Sequence, residues 1–87
     1  MRITAELSLY ALTENNIPLV KEFIDRLHAY KELKVITNST STQVVGEHAS
    51  VFEMLSKETA VTFSSGKPCV FVMKVIGLER DIQRAYQ

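Results

Sequence analysis

Apolar and polar side chains alternate along the first dozen residues of the chain. The apolar positions are Ile3, Ala5, Leu7, Leu9 and Ala11, and the polar positions between them are Thr4, Glu6, Ser8 and Tyr10. Successive side chains of an extended strand point to opposite faces, so a repeat of two over this length is typical of a strand with one buried face. The pattern predicts a first strand over residues 2–12.

The next segment changes to a helical repeat. Apolar residues from Val20 to Leu27 follow the i, i+3, i+4, i+7 spacing of an amphipathic helix, and charged residues fall on the opposite side. Pro18 suits a first helical turn, where the backbone N–H groups have no intrahelical partner. This spacing predicts a helix over about residues 16–30, after a turn over 13–16.

A second helix is predicted over about residues 49–63. Ser50 and Glu53 have the spacing of a capping box, in which each side chain bonds the backbone of the other. The expected apolar stripe consists of Val51, Phe52, Leu55 and Thr59. Ser64-Ser65-Gly66 should end the helix, because Pro68 follows and cannot continue it.

Three more segments are predicted to be strands. Leu33–Thr37 and Thr40–Glu47 flank a reversal at Asn38-Ser39 and should form a hairpin. Cys69–Ile76 should be the last strand. Gly46 marks either a bulge or a close backbone approach.

The order of elements is β-α-β-β-α-β within 87 residues, a length that suits one domain. With short connections, this order predicts an α+β fold of the ferredoxin-like type, a four-stranded antiparallel sheet with two helices on one face. The single domain is expected to span residues 1–87, and its last ten or so residues should form either a docked tail or a short helix.

Two helices can cover only one face of such a sheet. The covered face is predicted to hold Ile3, Ala5, Leu7, Leu9, Leu33, Val35, Val44, Phe71, Met73 and Val75. The open face is predicted to hold Thr4, Glu6, Ser8, Tyr10, Lys34, Ile36, Asn38, Ser41, Gln43, Val45, Glu47, Val70, Val72 and Lys74. Because contiguous apolar side chains on an exposed surface usually mark an interface, the open face predicts a homo-oligomer, either a dimer or a tetramer.

Charge and composition narrow the classes of partner. Ten Lys and Arg residues balance ten Asp and Glu residues, so no basic surplus exists to neutralise phosphates, and nucleic acid is not expected as a partner. The sequence has no secretory signal pattern and no apolar run of transmembrane length, which predicts a cytoplasmic protein without a membrane partner.

Cys69 is the single cysteine and is expected to be a buried small hydrophobe. His28 and His48 have no ligand-type partner four residues away, so no metal site and no cofactor are predicted.

The most unusual stretch is polar although it should enter a central strand. Residues 38–43 read Asn-Ser-Thr-Ser-Thr-Gln. A central strand normally carries apolar side chains on at least one face, and local exceptions of this kind are expected where function resides. The polar groups here and on the first strand could form directional hydrogen bonds to a small polar ring: Glu6, Ser8, Tyr10, Asn38, Ser41, Gln43 and Glu47.

This stretch also resembles the signature of the YkoF-like family of small thiamine-binding proteins. The similar segment is Thr37-Asn38-Ser39-Thr40-Ser41-Thr42-Gln43-Val44-Val45-Gly46-Glu47. Residues 5–10 are similar to the family's first strand, and the resemblance covers roughly residues 3–75. It implies a ferredoxin-like domain that forms dimers, often dimers of dimers, and that binds thiamine or its hydroxymethylpyrimidine moiety.

The resemblance also implies which residues line the site. They are Asn38, Ser41, Thr42 and Gln43 on the third strand, with Ser8 and Tyr10 from the first. Thiamine carries a cationic thiazolium, which Glu6 or Glu47 could face, and Tyr10 could stack on a ring. The leading hypothesis is therefore a non-enzymatic binding module for thiamine or hydroxymethylpyrimidine.

Other functions stay open on the sequence. The apolar members of the open face favour a structural or regulatory oligomerisation module with no dedicated ligand. An enzyme on this architecture is less well supported. Acyl-phosphate hydrolysis would need a basic loop after the first strand, where this chain has the acidic Leu12-Thr13-Glu14-Asn15-Asn16, and a cofactor-free oxygenase rests on fold analogy alone.

Overall fold

The computed structural model describes residues 1–14 and 17–83 of the chain. The elements in chain order are β1 (Arg2–Ala11), α1 (Ile17–His28), β2 (Lys34–Thr37), β3 (Thr42–Glu47), α2 (His48–Phe63) and β4 (Cys69–Ile76). The strands form one antiparallel sheet in the order β2-β3-β1-β4. The ferredoxin-like βαββαβ prediction is confirmed. Asn15 and Asn16 of the predicted turn, and the last four residues of the predicted tail, lie outside the described residues.

Both helices pack on one face of the sheet, over β2, β3 and β1. The buried core between the two layers consists of Ile3, Ala5, Leu7, Phe23, Leu27, Leu33, Val44, Val51, Met54 and Leu55. Fully burying one large aliphatic or aromatic side chain contributes about 1.5–3 kcal/mol, so this cluster dominates the stability of the fold. None of the helices among the described residues is long and apolar enough to cross a membrane.

The buried stripe of α2 differs from the predicted one. Phe52 is 42% exposed, whereas Met54, Glu58 and Thr62 are buried. The capping box is also wrong: α2 begins at His48, and its N-cap residue is Glu47, which makes no side-chain capping bond. The predicted stripe is wrong in part because the buried face of α2 includes a carboxylate, Glu58, and charged side chains are almost never buried unless they are paired.

Glu58 is buried because two donors pair with its carboxylate. Arg26 Nε donates to Glu58 Oε1 at 2.6 Å, and the Tyr30 hydroxyl donates to Oε2 at 2.6 Å. Arg26 Nη2 also donates to Thr62 Oγ1 at 2.7 Å. Burial raises the pKa of Glu58, but the hydrogen bonds from Tyr30 and Arg26 and the charge of Arg26 outweigh burial and leave the pKa below its ordinary value. The same hydrogen bond, with burial and the charge of Glu58, raises the pKa of Tyr30 to about 12.

Strand β4 is an edge strand that the helices cover only in part. Phe71 packs against Phe23 of α1 and Phe63 of α2, with ring centroids 4.8 Å and 5.5 Å apart. Met73 and Val75 lie on the helix side, as their register with Leu7 and Ala5 requires, but they are 40% and 45% exposed. The two side chains thus point to the helix side, as predicted, but the prediction that the helices cover them is wrong. Cys69, at the start of β4, is partly exposed.

The open face is partly covered by the C-terminal segment, residues 77–83. Thr4 Oγ1 donates to the Leu78 carbonyl at 3.0 Å and accepts from the Arg80 backbone N–H at 2.8 Å. Thr4 is 3% exposed and its cross-strand neighbour Val45 is 1% exposed, although both were predicted to lie on an uncovered surface. Of the two predictions for residues 77–87, the docked tail is the one seen in the described part.

At Gly46 the strand has no bulge, and the Leu33 side chain closely approaches the backbone. The pairing of β1 with β3 runs without interruption through Ile3 and Gly46. A Cβ atom on Gly46 would lie 2.5 Å from Cδ2 of Leu33. A glycine is therefore required for Leu33 to enter the core.

Candidate ligand cavity

The sheet has a gap where β1 runs past the end of β3. Pairing of β1 with β3 ends at Leu7 and Thr42, whereas pairing of β1 with β4 continues to Ala11 and Cys69. In an antiparallel sheet the N–H and C=O groups of alternate residues point to one neighbour. No strand of the described residues therefore pairs with the edge of β1 from Ser8 to Ala11 that faces away from β4. This edge can offer both a donor and an acceptor.

The turn between β2 and β3 lies on the other side of this gap, and Asn38 shapes it. Asn38 Oδ1 accepts from the backbone N–H groups of Thr40 at 2.8 Å and Ser41 at 3.0 Å, and the Asn38 N–H donates to the Ser41 carbonyl at 3.0 Å. An Asx turn of this type holds the chain in a tight reversal. It also delays the start of β3 to Thr42, two residues later than predicted.

A cavity of about 260 Å³ occupies the gap between β1, the turn and α1. We call it the turn cavity. Its lining residues are Leu7, Ser8, Leu9, Tyr10, Val20, Phe23, Ile24, Thr37, Asn38, Ser39, Thr40, Ser41 and Thr42. The volume lies just below the roughly 300–1,000 Å³ of pockets that hold drug-sized molecules, which suits a molecule of one ring or two small rings.

The lining combines an apolar floor with a rim of hydroxyls and amides. Phe23 and Leu7 are buried core residues, and Tyr10 is 55% exposed. Among the described residues that line the cavity, none is Asp, Glu, Lys, Arg or His. An isolated charge is costly to bury without a partner, so the cavity favours a neutral, flat molecule with polar edges.

Five of the eight predicted site residues meet at the turn cavity. They are Ser8, Tyr10, Asn38, Ser41 and Thr42. Thr42 is 4% exposed and lies on the helix side of the sheet, opposite Leu7. Asn38 lines the cavity, but its Oδ1 is used within the turn, which leaves its NH₂ group for other partners.

Glu6 and Gln43 lie outside the cavity, side by side on the open face. Gln43 Nε2 donates to Ser41 Oγ at 2.7 Å, and Ser41 Oγ donates to Glu6 Oε2 at 3.2 Å. Lys74 Nζ lies 3.7 Å from Glu6 Oε1. The Glu6 carboxylate therefore already has a cation beside it, and it touches the cavity only through Ser41.

Glu47 is at the opposite end of β3 from the cavity. It lies five positions along the strand from Thr42, a distance of about 17 Å at roughly 3.4 Å per residue. It directly precedes α2 as the N-cap residue. The structure does not bring Glu47 together with the other predicted site residues.

Four lining residues are not among the predicted site residues, because the sequence pattern gives them other roles. Periodicity places Val20, Phe23 and Ile24 on the core face of α1, and Thr37 belongs to the predicted hairpin. The neighbouring hydroxyls of Ser41 and Thr42 are the signal in the sequence that polar groups face the helix side of the sheet as well as the open side. No group of three His, Cys, Asp or Glu side chains that could hold a metal ion occurs in residues 1–14 and 17–83.

Comparison with known proteins gives similarity of fold at low sequence identity. No family model and no curated protein matches the chain. A protein from Streptococcus pneumoniae superposes with a TM-score of 0.84 and 16% identity, over 95% of this chain and 94% of that one. A candidate thiamine biosynthesis/salvage protein from Thermotoga maritima has a TM-score of 0.78 and 13% identity, over 87% and 83%. A domain of unknown function, DUF77, from Bacillus cereus has a TM-score of 0.71 and 14% identity, over 86% and 74%. The chain thus shares its fold with these proteins, one of which is named for thiamine metabolism.

Proposed function

We propose that the chain is a non-enzymatic binding module for a small, neutral heteroaromatic molecule, and that this molecule is the hydroxymethylpyrimidine moiety of thiamine or a close relative. The observation that carries the proposal is the uncharged turn cavity between the unpaired edge of β1 and the hydroxyl-rich turn. The resemblance of residues 37–47 to thiamine-binding proteins and the thiamine-related fold neighbour support the choice of ligand.

The chemistry of an aminopyrimidine suits this cavity. Its ring nitrogen accepts and its exocyclic amine donates along one edge, which complements the alternating N–H and C=O groups of a free strand edge. Its flat faces suit the apolar floor that Phe23 and Leu7 provide. A buried polar group left unpaired costs about 1–3 kcal/mol, so this edge would discriminate against rings with the wrong pattern.

The lack of charge in the lining predicts a preference between the two halves of thiamine. The thiazolium is cationic and gains nothing from an uncharged cavity. The carboxylate of Glu6, which contacts the lining residue Ser41, lies beside Lys74. We therefore place the pyrimidine inside and the thiazolium at the mouth of the cavity, near the exposed Tyr10, where water can solvate it.

Isothermal titration calorimetry tests the proposal. Hydroxymethylpyrimidine should bind with an affinity at least equal to that of thiamine. Thr42→Val, which keeps the shape and removes the buried hydroxyl, should weaken binding about tenfold, since an unpaired polar group on the ligand costs about 1–3 kcal/mol. Thr59→Val on α2, away from the cavity, is the matched control. Absence of heat and of thermal stabilisation with both compounds at millimolar concentration would overturn the proposal.

We also propose that the chain forms a homo-oligomer through the β4 edge. In the part of the chain that the structure describes, one side of this strand has no strand partner. Apart from Lys74, its exposed residues are apolar, on both faces: Val70, Val72, Met73 and Val75. Edge strands of monomers are normally blunted by charges or proline, whereas Lys74 is the single charged residue within β4. This supports a second copy as the partner. It is also the observation that favours the alternative function, an oligomerisation module without a dedicated ligand.

Sedimentation velocity of an edge variant tests the oligomer. Val72 is 55% exposed, so Val72→Lys should leave the monomer folded and convert a dimer or tetramer to a smaller species. Val61→Lys, at a 46% exposed position of α2, is the matched control and should not change the oligomeric state. A wild-type protein that sediments as a monomer at micromolar concentration would contradict the proposal.

A further inference from the structure

Two backbone hydrogen bonds fix the side to which each residue of β1 directs its N–H and C=O groups. On the β3 side, the His48 N–H donates to the Met1 carbonyl at 2.8 Å. On the β4 side, the Leu12 N–H donates to the Pro68 carbonyl at 2.9 Å. Both bonds continue the register of their ladders. Because both groups of one residue point to the same neighbour and successive residues alternate, odd-numbered residues of β1 face β3 and even-numbered residues face β4.

Leu9 therefore directs its N–H and C=O groups into the gap at the turn cavity. The pairing of β1 with β3 ends at Leu7 and Thr42, two residues before Leu9. Among the described residues, neither the turn nor α1 supplies a hydrogen bond to this side of Leu9. Leu9 is partly buried and lines the cavity. Since backbone groups in such places are normally paired with protein or water, a molecule that enters the cavity can take up this donor and this acceptor.

We propose that Leu9 is the backbone anchor of the turn cavity, and that the ligand is a flat ring with a hydrogen-bond acceptor next to a donor on one edge. The Leu9 N–H donates to the acceptor, and the Leu9 carbonyl accepts from the donor. In an aminopyrimidine these two groups are a ring nitrogen and the neighbouring exocyclic amine. This assignment rests on the proposed function of the cavity and adds to it the atoms that hold the ligand.

The direction of these bonds also sets the plane of the ring. Hydrogen bonds at the edge of a strand run perpendicular to the strand and close to the plane of the carbonyl group. A ring bonded to Leu9 thus extends the sheet beyond the end of the β1–β3 pairing. Its helix-side face then lies towards Val20, Phe23 and Ile24 of α1, which line the cavity. The anchor therefore combines a polar edge with an apolar face, the two properties of a neutral heteroaromatic ring.

The anchor selects rings that have both functions on one edge. A lactam edge has the same donor and acceptor in the reverse order, and it fits when the ring turns over. A ring with only one of the two functions leaves the other backbone group of Leu9 unpaired, which costs affinity. Leu9 is thus a specificity-determining residue that acts through its main chain.

Amide hydrogen exchange of the ligand-free protein tests the orientation of the strand. The amides of Ser8 and Tyr10, which face β4, should exchange at least tenfold more slowly than those of Leu9 and Ala11. Saturation with hydroxymethylpyrimidine should slow the Leu9 amide and leave the Ala11 amide unchanged, because Ala11 has the same orientation but does not line the cavity. A Leu9 amide that is protected before the compound is added, or whose exchange is unchanged at saturation, would overturn the anchor.

Replacing one backbone amide with an ester removes a single N–H and keeps every side chain. The ester that removes the Leu9 N–H should weaken binding of hydroxymethylpyrimidine about tenfold, the effect of one hydrogen bond of about 1.4 kcal/mol. The matched control is the ester that removes the Ala11 N–H, which should bind within about twofold of the wild type. Both esters weaken a carbonyl that faces β4, at Ser8 and at Tyr10, so they share any loss of strand stability and differ at the cavity.

Calorimetry with a second probe tests which atoms pair. This probe is the pyridine analogue, in which a CH group replaces the ring nitrogen next to the amine. If the Leu9 N–H donates to that nitrogen, the losses from the ester and from the analogue should not add, and the combined loss should be about that of one change alone. Additive losses, or a Leu9 ester that binds like the wild type, would overturn the anchor and leave the function of the cavity standing. Failure of hydroxymethylpyrimidine to bind the wild-type protein would overturn the proposed function, and the anchor with it.

Discussion

Gly46 shows how one residue controls a core contact. The helix-side surface at Gly46 is occupied by the Leu33 side chain, which is 7% exposed. Val51 Cγ2 lies 3.5 Å from the place a Cβ atom would take. Any side chain at this position must displace atoms that are themselves buried, and close-packed interiors tolerate such displacement poorly.

We expect Gly46→Ala to lower the free energy of unfolding by about 1–3 kcal/mol, the usual cost of overpacking a core. Gly77→Ala, where a Cβ atom would meet nothing within 4 Å, is the control and should change stability little. Urea denaturation measures both. Combining Gly46→Ala with Leu33→Val should recover part of the loss, because the smaller side chain gives the new methyl room. A Gly46→Ala protein as stable as the wild type would show that Leu33 moves aside freely.

Glu58 predicts a pH dependence of stability with a definite sign. Its pKa is lower in the folded protein than the ordinary value of 4.5, so its contribution to stability is complete above that value and is lost as pH falls through the folded pKa. Tyr30 acts in the other direction: its contribution is complete below the ordinary pKa of 10.0 and is lost as pH rises through about 12.

Glu58→Gln should therefore lose less stability than the wild type as the pH falls. It should also lower the free energy of unfolding at pH 7 by about 1–3 kcal/mol, because Arg26 is left without its carboxylate partner. Thermal unfolding from pH 3 to 7 measures both effects. Glu22→Gln on the exposed side of α1 is the control. Parallel pH profiles for the wild type and Glu58→Gln would show that the buried pair does not carry this dependence.

At the scale of elements, periodicity predicted the strands and helices whose position depends on the burial of apolar side chains. The alternation of β1 and the spacing of α1 depend on apolar side chains that must leave water, and both elements formed within one or two residues of their expected ends. The stripe of α2 could not be read in this way, because Glu58 and Thr62 are buried by partners on another element, 32 and 36 residues away in the case of Arg26. Spacing within a helix carries no information about such partners.

The sequence predicted several of the residues that line the turn cavity, but it did not predict where in the sheet the cavity lies. The polar run from Asn38 to Thr42 lies at the corner of the sheet where the turn cavity is found. The cavity lies between the two faces of the sheet because of the Asx turn at Asn38 and because the β1–β3 pairing ends early. Both features depend on how distant segments pair in the folded protein. The sequence also did not predict that residues 77–83 cover Thr4. This polar segment docks through backbone groups, so it has no pattern of apolar residues that would indicate a contact.

The docking of the C-terminal segment depends on one hydroxyl. Thr4→Val keeps the volume of the side chain and removes both of its bonds to residues 78 and 80. We expect the Arg80 amide to exchange with solvent at least tenfold faster, while amides of β1 and β3 stay protected. Hydrogen exchange followed by NMR measures this, with Thr13→Val as the control. Unchanged exchange at Arg80 would mean that other contacts hold the segment.

At the scale of the whole molecule, the two surfaces used in the proposals lie apart. One corner, where β1, α1 and the β2–β3 turn meet, has a small cavity with an uncharged lining. The opposite edge, β4, exposes mainly apolar side chains, and no described strand pairs with its outer side. Because the cavity and β4 lie on different sides of β1, ligand binding and self-association should be separable, and Val72→Lys should bind hydroxymethylpyrimidine within about twofold of the wild type if a single chain completes the site. Calorimetry on the monomeric variant measures this. A loss of binding on dissociation would mean that the second copy contributes to the site.

Chemical-shift mapping with hydroxymethylpyrimidine tests the location of the site most directly. As the compound is added, the amide signals of Ser8–Ala11 and of residues 38–42 should shift together and saturate with one affinity, because these are the groups on either side of the gap. Saturable shifts confined to β4 or to the C-terminal segment, or no saturable shift at millimolar concentration, would contradict a binding site between β1 and the turn.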